Sequence, residues 1–218
     1  MLWTVVAMRN EAETLLSLSE IKAVRKTAGK DEYDCVCSGI PFSMLICGVG
    51  KANAAGGTAA AIASGADRIL NFGLAGGITR KAAVGTVHCV SKAVEYDFDL
   101  SEVNGTPPGT PDEFSSPFLP VYGGNSVFPL SVLATGDRFR SGTEDLPLLA
   151  SFGADLRDME GAAVAHICLG AGIPCRLYKS VSDLANADSV ADYKKNTALA
   201  LDALKKALPE ILREAVHG

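Results

Sequence analysis

Acid–base chemistry needs carboxylates that water does not freely reach, and one stretch of this chain places such a group. Asp158-Met159-Glu160-Gly161-Ala162-Ala163 heads an apolar run that continues through Val164, Ala165, Ile167, Cys168 and Leu169. The run predicts a helix packed into a core, and a helix dipole favours a carboxylate at its first turn without needing one for stability. Glu160 therefore calls for a partner. Three glycine-rich turns offer backbone around such a site: Cys47-Gly48-Val49-Gly50-Lys51, Asn71-Phe72-Gly73-Leu74-Ala75-Gly76-Gly77 and Thr135-Gly136-Asp137, each after a strand-like run. Glycine lets N–H groups approach a ligand closely, and open α/β sheets bind ligands at the carboxyl ends of their strands. Each of these turns, taken alone, also reads as an ordinary tight turn. The first two lack the Gly-x4-Gly-Lys-Ser/Thr spacing of a phosphate loop, and no Gly-x-Gly-x-x-Gly follows the first strand, which disfavours a dinucleotide.

The elements that must position these residues follow from hydrophobic patterning. Strands are predicted at Thr4 to Met8, Ser43 to Cys47, Arg68 to Phe72, Thr86 to Val90, Val132 to Thr135 and Arg176 to Val181. Helices are predicted from Glu11 to about Ala28, Lys51 to Ser64, Met159 to Ala171 and Ala191 to Val216. This alternation is the rhythm of an α/β fold with a mixed, mostly parallel sheet. The stretch from Val103 to Tyr122 carries Pro107, Pro108, Pro111, Pro117 and Pro120 and reads as a long loop of the kind that forms lids or interfaces. With 218 residues and 48% hydrophobic content, one domain over 1–218 is expected. The net charge of -5 comes without a basic face, which argues against nucleic acid. Six cysteines lack metal-ligand spacing and most sit in apolar runs, which suits a reducing cytoplasm. The apolar start, Met1 to Met8, has no positive leader and is too short to span a bilayer, so it reads as a buried strand with no membrane role.

Five segments in order give a more specific reading: Ala7-Met8-Arg9-Asn10-Glu11, Gly48-Val49-Gly50-Lys51, Asn71-Phe72-Gly73-Leu74-Ala75-Gly76-Gly77, Met159-Glu160-Gly161-Ala162-Ala163 and Ser182-Asp183-Leu184-Ala185-Asn186. Together they resemble the purine nucleoside phosphorylase and nucleosidase superfamily, and within it the methylthioadenosine/S-adenosylhomocysteine nucleosidases. The resemblance implies a three-layer α/β/α sandwich and cleavage of an N-glycosidic bond without a cofactor. It gives Glu11 the task of deprotonating a water that attacks the anomeric carbon, and Asp183 that of an acid sharing its proton with N7 of the purine and hydrogen-bonding the exocyclic amine of adenine. An oxocarbenium-like transition state needs such a base and acid on opposite sides. Glu160 would hold the ribose hydroxyls, Met159 would pack against the sugar and Phe139 over the base. Leu74, Ala75, Gly76, Ser182, Lys179 and Arg140 complete the implied substrate site. Singly, Glu11 reads as a dipole-friendly carboxylate, Asp183 as a turn residue and Phe139 as core.

Three positions depart from the nucleosidase pattern. Leu74 replaces a serine whose hydroxyl helps hold the water, Lys179 replaces an arginine fork with a point charge, and Arg140 stands where an aliphatic residue is usual. The Glu-Gly form of the ribose motif also occurs in relatives that cleave futalosine or adenosyl-hopanoid substrates, so the 5′ substituent stays open. An early phosphate loop of the phosphorylase type is missing, which favours water as nucleophile, although Arg9, Arg138, Arg140 and Lys179 leave an anion site open. A nucleoside binder without turnover would not need both an acid and a water-side base. His88 and His166 lack partners at ligand spacing, so neither a metal nor histidine catalysis is expected. The resemblance further implies a homodimer in which the proline-rich segment closes the neighbour's 5′ pocket.

Overall fold

A computed structural model describes residues 1–121, 124–139, 143–184 and 189–217. Its elements run β1 (Leu2–Val6), α1 (Arg9–Leu16), β2 (Glu20–Thr27), β3 (Lys30–Cys37), β4 (Ile40–Ile46), α2 (Lys51–Ala63), β5 (Arg68–Gly77) and β6 (Val87–Glu95). They continue with α3 (Ser101–Asn104), β7 (Leu119–Pro120), β8 (Leu130–Thr135), α4 (Leu146–Ser151), β9 (Leu156–Asp158), α5 (Gly161–Ala171), β10 (Cys175–Leu184) and α6 (Ser189–His217). Among the described residues ten strands join one sheet in the order β10-β6-β8-β9-β5-β1-β4-β3-β2, with β7 beside β6. A further β10–β5 pairing curls this end into a closed ring. The architecture is thus the expected α/β type, and its pairings divide evenly, five parallel and five antiparallel.

Alternation along the central strands builds the three layers, because successive side chains leave a strand on opposite faces. Trp3 and Val5 of β1 and Ile69 of β5 join the core under α2 and α5, with Ala54, Ala61, Val164 and Cys168. Leu2 and Val6 of β1, with Leu70 and Phe72 of β5, face the other way onto Leu15 of α1 and Leu204, Leu208 and Ile211 of α6. Burying a side chain of this size stabilises by about 1.5–3 kcal/mol, so the two apolar clusters fix the sheet between its helices.

One expected helix is not there. Glu11 to Ala28 divides into the short α1 and the edge strand β2, because Ser17 and Ser19 turn their hydroxyls back onto the carbonyls of Thr14 and Leu15 and close the helix. Arg25 then pairs with Asp34 and Glu32 and Lys26 with Asp31, all across the β2–β3 ladder. Met159 also lies outside its expected helix, between β9 and α5. The proline-rich stretch is irregular apart from the end of α3 and the two residues of β7, and Tyr122 lies outside the described residues.

Candidate active site

Strands β4, β1, β5 and β10 run parallel and adjacent, so their carboxyl ends meet along one edge of the sheet. A cavity of about 390 Å³ opens there. Glu11, Glu160 and Asp183 all line it, from the start of α1, the cap of α5 and the end of β10. Met159, Phe139, Leu74, Ala75, Gly76 and Ser182 line it as well. Arg140 lies outside the described residues.

Glu11 occupies the third position of α1 and is 3% exposed. Its carboxylate accepts the Met8 N–H at 3.0 Å and the Leu74 N–H at 2.7 Å. The main chain of Leu74 thus engages Glu11 where the side chain offers no hydroxyl. Gly73 gives the carboxylate its room, since a Cβ there would sit 2.6 Å from Glu11 Oε1 and displace it. Burial pushes the Glu11 pKa up, against the pull of Lys179 and the two backbone donors, and the net shift is upward.

Glu160 caps α5 and accepts the Gly50 N–H at 2.8 Å. Gly50 has φ +96°, which lets the Gly48-Val49-Gly50-Lys51 turn aim this donor at the carboxylate, while the next N–H, of Lys51, reaches Asp137 at 2.8 Å. The first turn of α2 therefore holds two carboxylates, as its dipole favours. Burial, aided by the neighbouring charge of Asp158 and opposed by Lys179, pushes Glu160 up to about 7.

Asp183 follows a register shift in β10 between Val181 and Asp183, the kind of irregularity that re-aims a side chain. It is 1% exposed, and its Oδ2 accepts the Ser182 hydroxyl at 2.9 Å. Oδ1 is buried with no hydrogen-bond partner among the described residues. An orphaned oxygen on the wall of a cavity is a position for a ligand proton. Burial raises the Asp183 pKa against the Ser182 hydrogen bond and the charge of Arg157.

Lys179 does not line the cavity. It is 1% exposed beneath it, with Nζ 2.8 Å from both Asp158 Oδ2 and Asn71 Oδ1. Here the expectation of a substrate contact is corrected: the straight lysine stem stays inside the sheet and ends on Asp158. Burial opposes its charge, but Asp158, Glu160 and Glu11 outweigh that cost and hold it protonated. Asp158 in turn accepts the Gly161 N–H at 2.8 Å and the Thr135 hydroxyl at 2.5 Å, anchoring the start of α5 to β8.

The cavity wall also includes Met8, Val49, Arg157, Val190 and Tyr193, which the sequence reading did not name as site residues. Met8 and Val49 lay inside motifs it used, and Arg157 adjoins the Asp158-Met159-Glu160 run. Tyr193, edge-on to Phe139 with centroids 5.5 Å apart, sits in α6 among residues that pattern as a surface helix, with nothing local to mark it.

The profile of the phosphorylase superfamily matches residues 3–213, and the chain belongs to that superfamily. It is 27% identical over 215 residues to a 5′-methylthioadenosine/S-adenosylhomocysteine nucleosidase of Haemophilus ducreyi, covering 90% of each chain. It is 32% identical over 188 residues to a 5′-methylthioadenosine nucleosidase of Arabidopsis thaliana, covering 81% of this chain and 67% of that one. Among solved structures, the Helicobacter pylori 5′-methylthioadenosine/S-adenosylhomocysteine nucleosidase superposes with a TM-score of 0.90 at 24% identity, covering 98% and 97% of the two chains. A futalosine hydrolase from the same organism superposes with a TM-score of 0.89 at 24% identity over the same shares. These superpositions establish the fold.

Proposed function

We propose that this chain is a nucleosidase that hydrolyses the N-glycosidic bond of a purine nucleoside modified at its 5′ position, of the methylthioadenosine/S-adenosylhomocysteine type. The observation that carries this reading is the convergence of Glu11, Glu160 and Asp183 on one cavity, with Asp183 presenting a buried, unpartnered oxygen to it. Glu160 accepts hydrogen bonds from the ribose hydroxyls and faces the positive charge that develops on the sugar. As the bond from C1′ to N9 breaks, its electron pair passes into the purine, and the Asp183 carboxyl gives a proton to N7. Burial, by raising its pKa, keeps that proton available. Water adds its oxygen to C1′ and yields a proton to Glu11, whose raised pKa makes it a better acceptor than an exposed carboxylate.

Three cations that could have formed an anion site are instead held by carboxylates, which leaves Arg157 as the one arginine lining the cavity among the described residues and supports water as the nucleophile. Arg9 is paired with Asp31, Arg138 with Asp145 and Lys179 with Asp158. The test is base release from methylthioadenosine, S-adenosylhomocysteine, adenosine and aminofutalosine, each with and without phosphate. Release independent of phosphate is expected, and strict phosphate dependence would overturn the hydrolytic reading. The same reading takes the working form to be a homodimer, whose mass light scattering would give directly.

A further inference from the structure

Lys51, which ends the Gly48-Val49-Gly50-Lys51 turn, has no part in the chemistry above and does not line the cavity. It closes a ring of hydrogen bonds. The Lys51 N–H reaches Asp137 Oδ1 at 2.8 Å, the Asp137 N–H reaches Asp97 Oδ2 at 2.9 Å, and Asp97 Oδ1 accepts Lys51 Nζ at 2.6 Å. Nζ also meets Glu95 at 3.2 Å, and the ammonium is largely buried between the two carboxylates. β6 and β8 are parallel neighbours, so Asp97 and Asp137, each just past the end of its strand, stand side by side where α2 begins. The ring ties the turns after β4, β6 and β8 together.

The residue before Lys51 supplies the N–H that Glu160 accepts. That residue, Gly50, has φ +96° and lies against the ring, since a Cβ there would sit 3.1 Å from Asp137 Oδ1. Glycine does not hold a backbone direction by itself, so the aim of this N–H is set from outside. Asn53 Nδ2 grips the Val49 oxygen of the same peptide at 2.8 Å, and the ring braces its other end. From this arrangement we propose that Lys51 is a positioning residue of the active site: with Asp97 and Asp137 it holds the Gly50 N–H on Glu160. The inference rests on the reading above only where it touches turnover, in taking Glu160 as the group that binds the sugar. An N–H donor favours the ionised carboxylate, so its loss raises the pKa of that group. Asp158 of β9, Lys179 of β10 and Glu11 of α1 also act on Glu160, and Cys47 after β4 and Tyr193 of α6 are further titratable neighbours. None of these five belongs to the ring.

The test is the titration of the Glu160 carboxyl, followed by carbon-13 NMR of the free protein and assigned with Glu160→Gln. The variants are Lys51→Met, Lys51→Arg and Asp137→Ala, and the sign of the shift separates positioning from plain charge. Lys51→Met removes a cation and Asp137→Ala an anion, so charge acting through space would move Glu160 up in the first and down in the second. Loss of the Gly50 N–H moves it up in both. The expected shift is roughly one pH unit upward in Lys51→Met, as a hydrogen bond to a charged group is weakened, and a smaller one of the same sign in Asp137→Ala. Lys51→Arg, whose fork reaches the same carboxylates, should stay near the wild-type value of about 7. Asp137 is exposed, so its replacement spares the fold. In base release the acid limb of kcat/KM should follow, with a loss of roughly tenfold below the limb in Lys51→Met. A Glu160 titration that falls or stands still in Asp137→Ala would overturn the proposal. If no nucleoside is cleaved, the hydrolytic reading fails separately, and the titration still decides this one.

Discussion

At the scale of single residues, Glu11, Glu160 and Lys179 share one buried region, and the charge of Asp158 beside them acts on the protonation of all three. Asp183→Asn keeps the shape and removes the transferable proton, so kcat/KM is expected to fall about 10²–10⁴-fold in a base-release assay, while the melting temperature does not fall, since a desolvated carboxyl has been removed. Glu160, pushed up to about 7, gives a pH dependence of definite sign. Its ionised form binds the sugar, so kcat/KM should rise with pH through about 7, and Glu160→Gln should abolish that limb along with most of the activity. Stability runs the other way. A carboxyl whose folded pKa exceeds its ordinary 4.5 contributes most below 4.5, and that contribution is lost as the pH rises through about 7. Lys179 restrains Glu11 and Glu160 from beneath. Lys179→Met should therefore shift the acid limb to higher pH and cost about 3–5 kcal/mol in urea unfolding, because Asp158 loses its buried partner. That arrangement was not legible from residue types, which suggested a substrate contact for Lys179. Whether a buried lysine reaches a cavity or stops on a carboxylate below it depends on the depth of its strand in the sheet.

At the scale of elements, the catalytic groups are positioned by the ends of strands and by glycines that let them approach. Gly73→Ala would drive a methyl group to within 2.6 Å of Glu11 Oε1. Glu11 would have to leave its two backbone donors, and a displacement of that size is expected to lower kcat by roughly 10²-fold. The far-ultraviolet circular dichroism should stay intact, because β5 keeps its ladder; unchanged kinetics would show that Glu11 is not held where the reaction needs it. The strands that carry the site were legible because they are apolar runs, closed by glycine in β4, β5 and β8: β1, β4, β5, β6, β8 and β10 each overlap a strand read from sequence. The helices α2, α5 and α6 were legible for the same reason. β2 was not, since Ile21-Lys22-Ala23-Val24-Arg25-Lys26 serves an exposed edge strand as well as a solvated helix face, and only the ion pairs to β3 decide between them. β9 was missed because three residues carry no period, yet it delivers Arg157 and Asp158 to the cavity.

At the scale of the whole molecule, a second polar cluster ties the proline-rich segment to the layer that carries the site. His166 of α5 places Nδ1 2.7 Å from Glu95 and Nε2 2.6 Å from Glu113, and Phe114 sits edge-on to its ring at 5.0 Å. Lys51, at the start of α2, pairs with Glu95 at 3.2 Å and Asp97 at 2.6 Å, and Asp97 accepts the N–H of Asp137 at 2.9 Å. The segment carrying Glu113 is thereby connected through α5 and β6 to the turn that supports Glu160. With an acceptor at each ring nitrogen, His166 is satisfied only as the imidazolium. Burial works against that charge, but Glu95 and then Glu113 outweigh it and raise the pKa above the ordinary 6.5. The sign follows: the contribution of His166 is complete below 6.5 and is lost as the pH rises through its elevated folded value. Glu113, held below its ordinary 4.5 chiefly by hydrogen bonds, contributes above 4.5 and loses that contribution as the pH falls through its lowered folded value. The segment should accordingly be best anchored in mildly acidic solution and should loosen on the alkaline side. Limited proteolysis between residues 103 and 121 is expected to accelerate from pH 6 to pH 9 in the wild type, and His166→Gln should cleave at the faster rate throughout. Because Glu113 is largely exposed, the difference in unfolding free energy should be only about 1 kcal/mol or less. The cleavage rate of this one segment is therefore the sensitive measure, and a rate that does not change with pH would mean that the prolines, rather than His166, hold it in place.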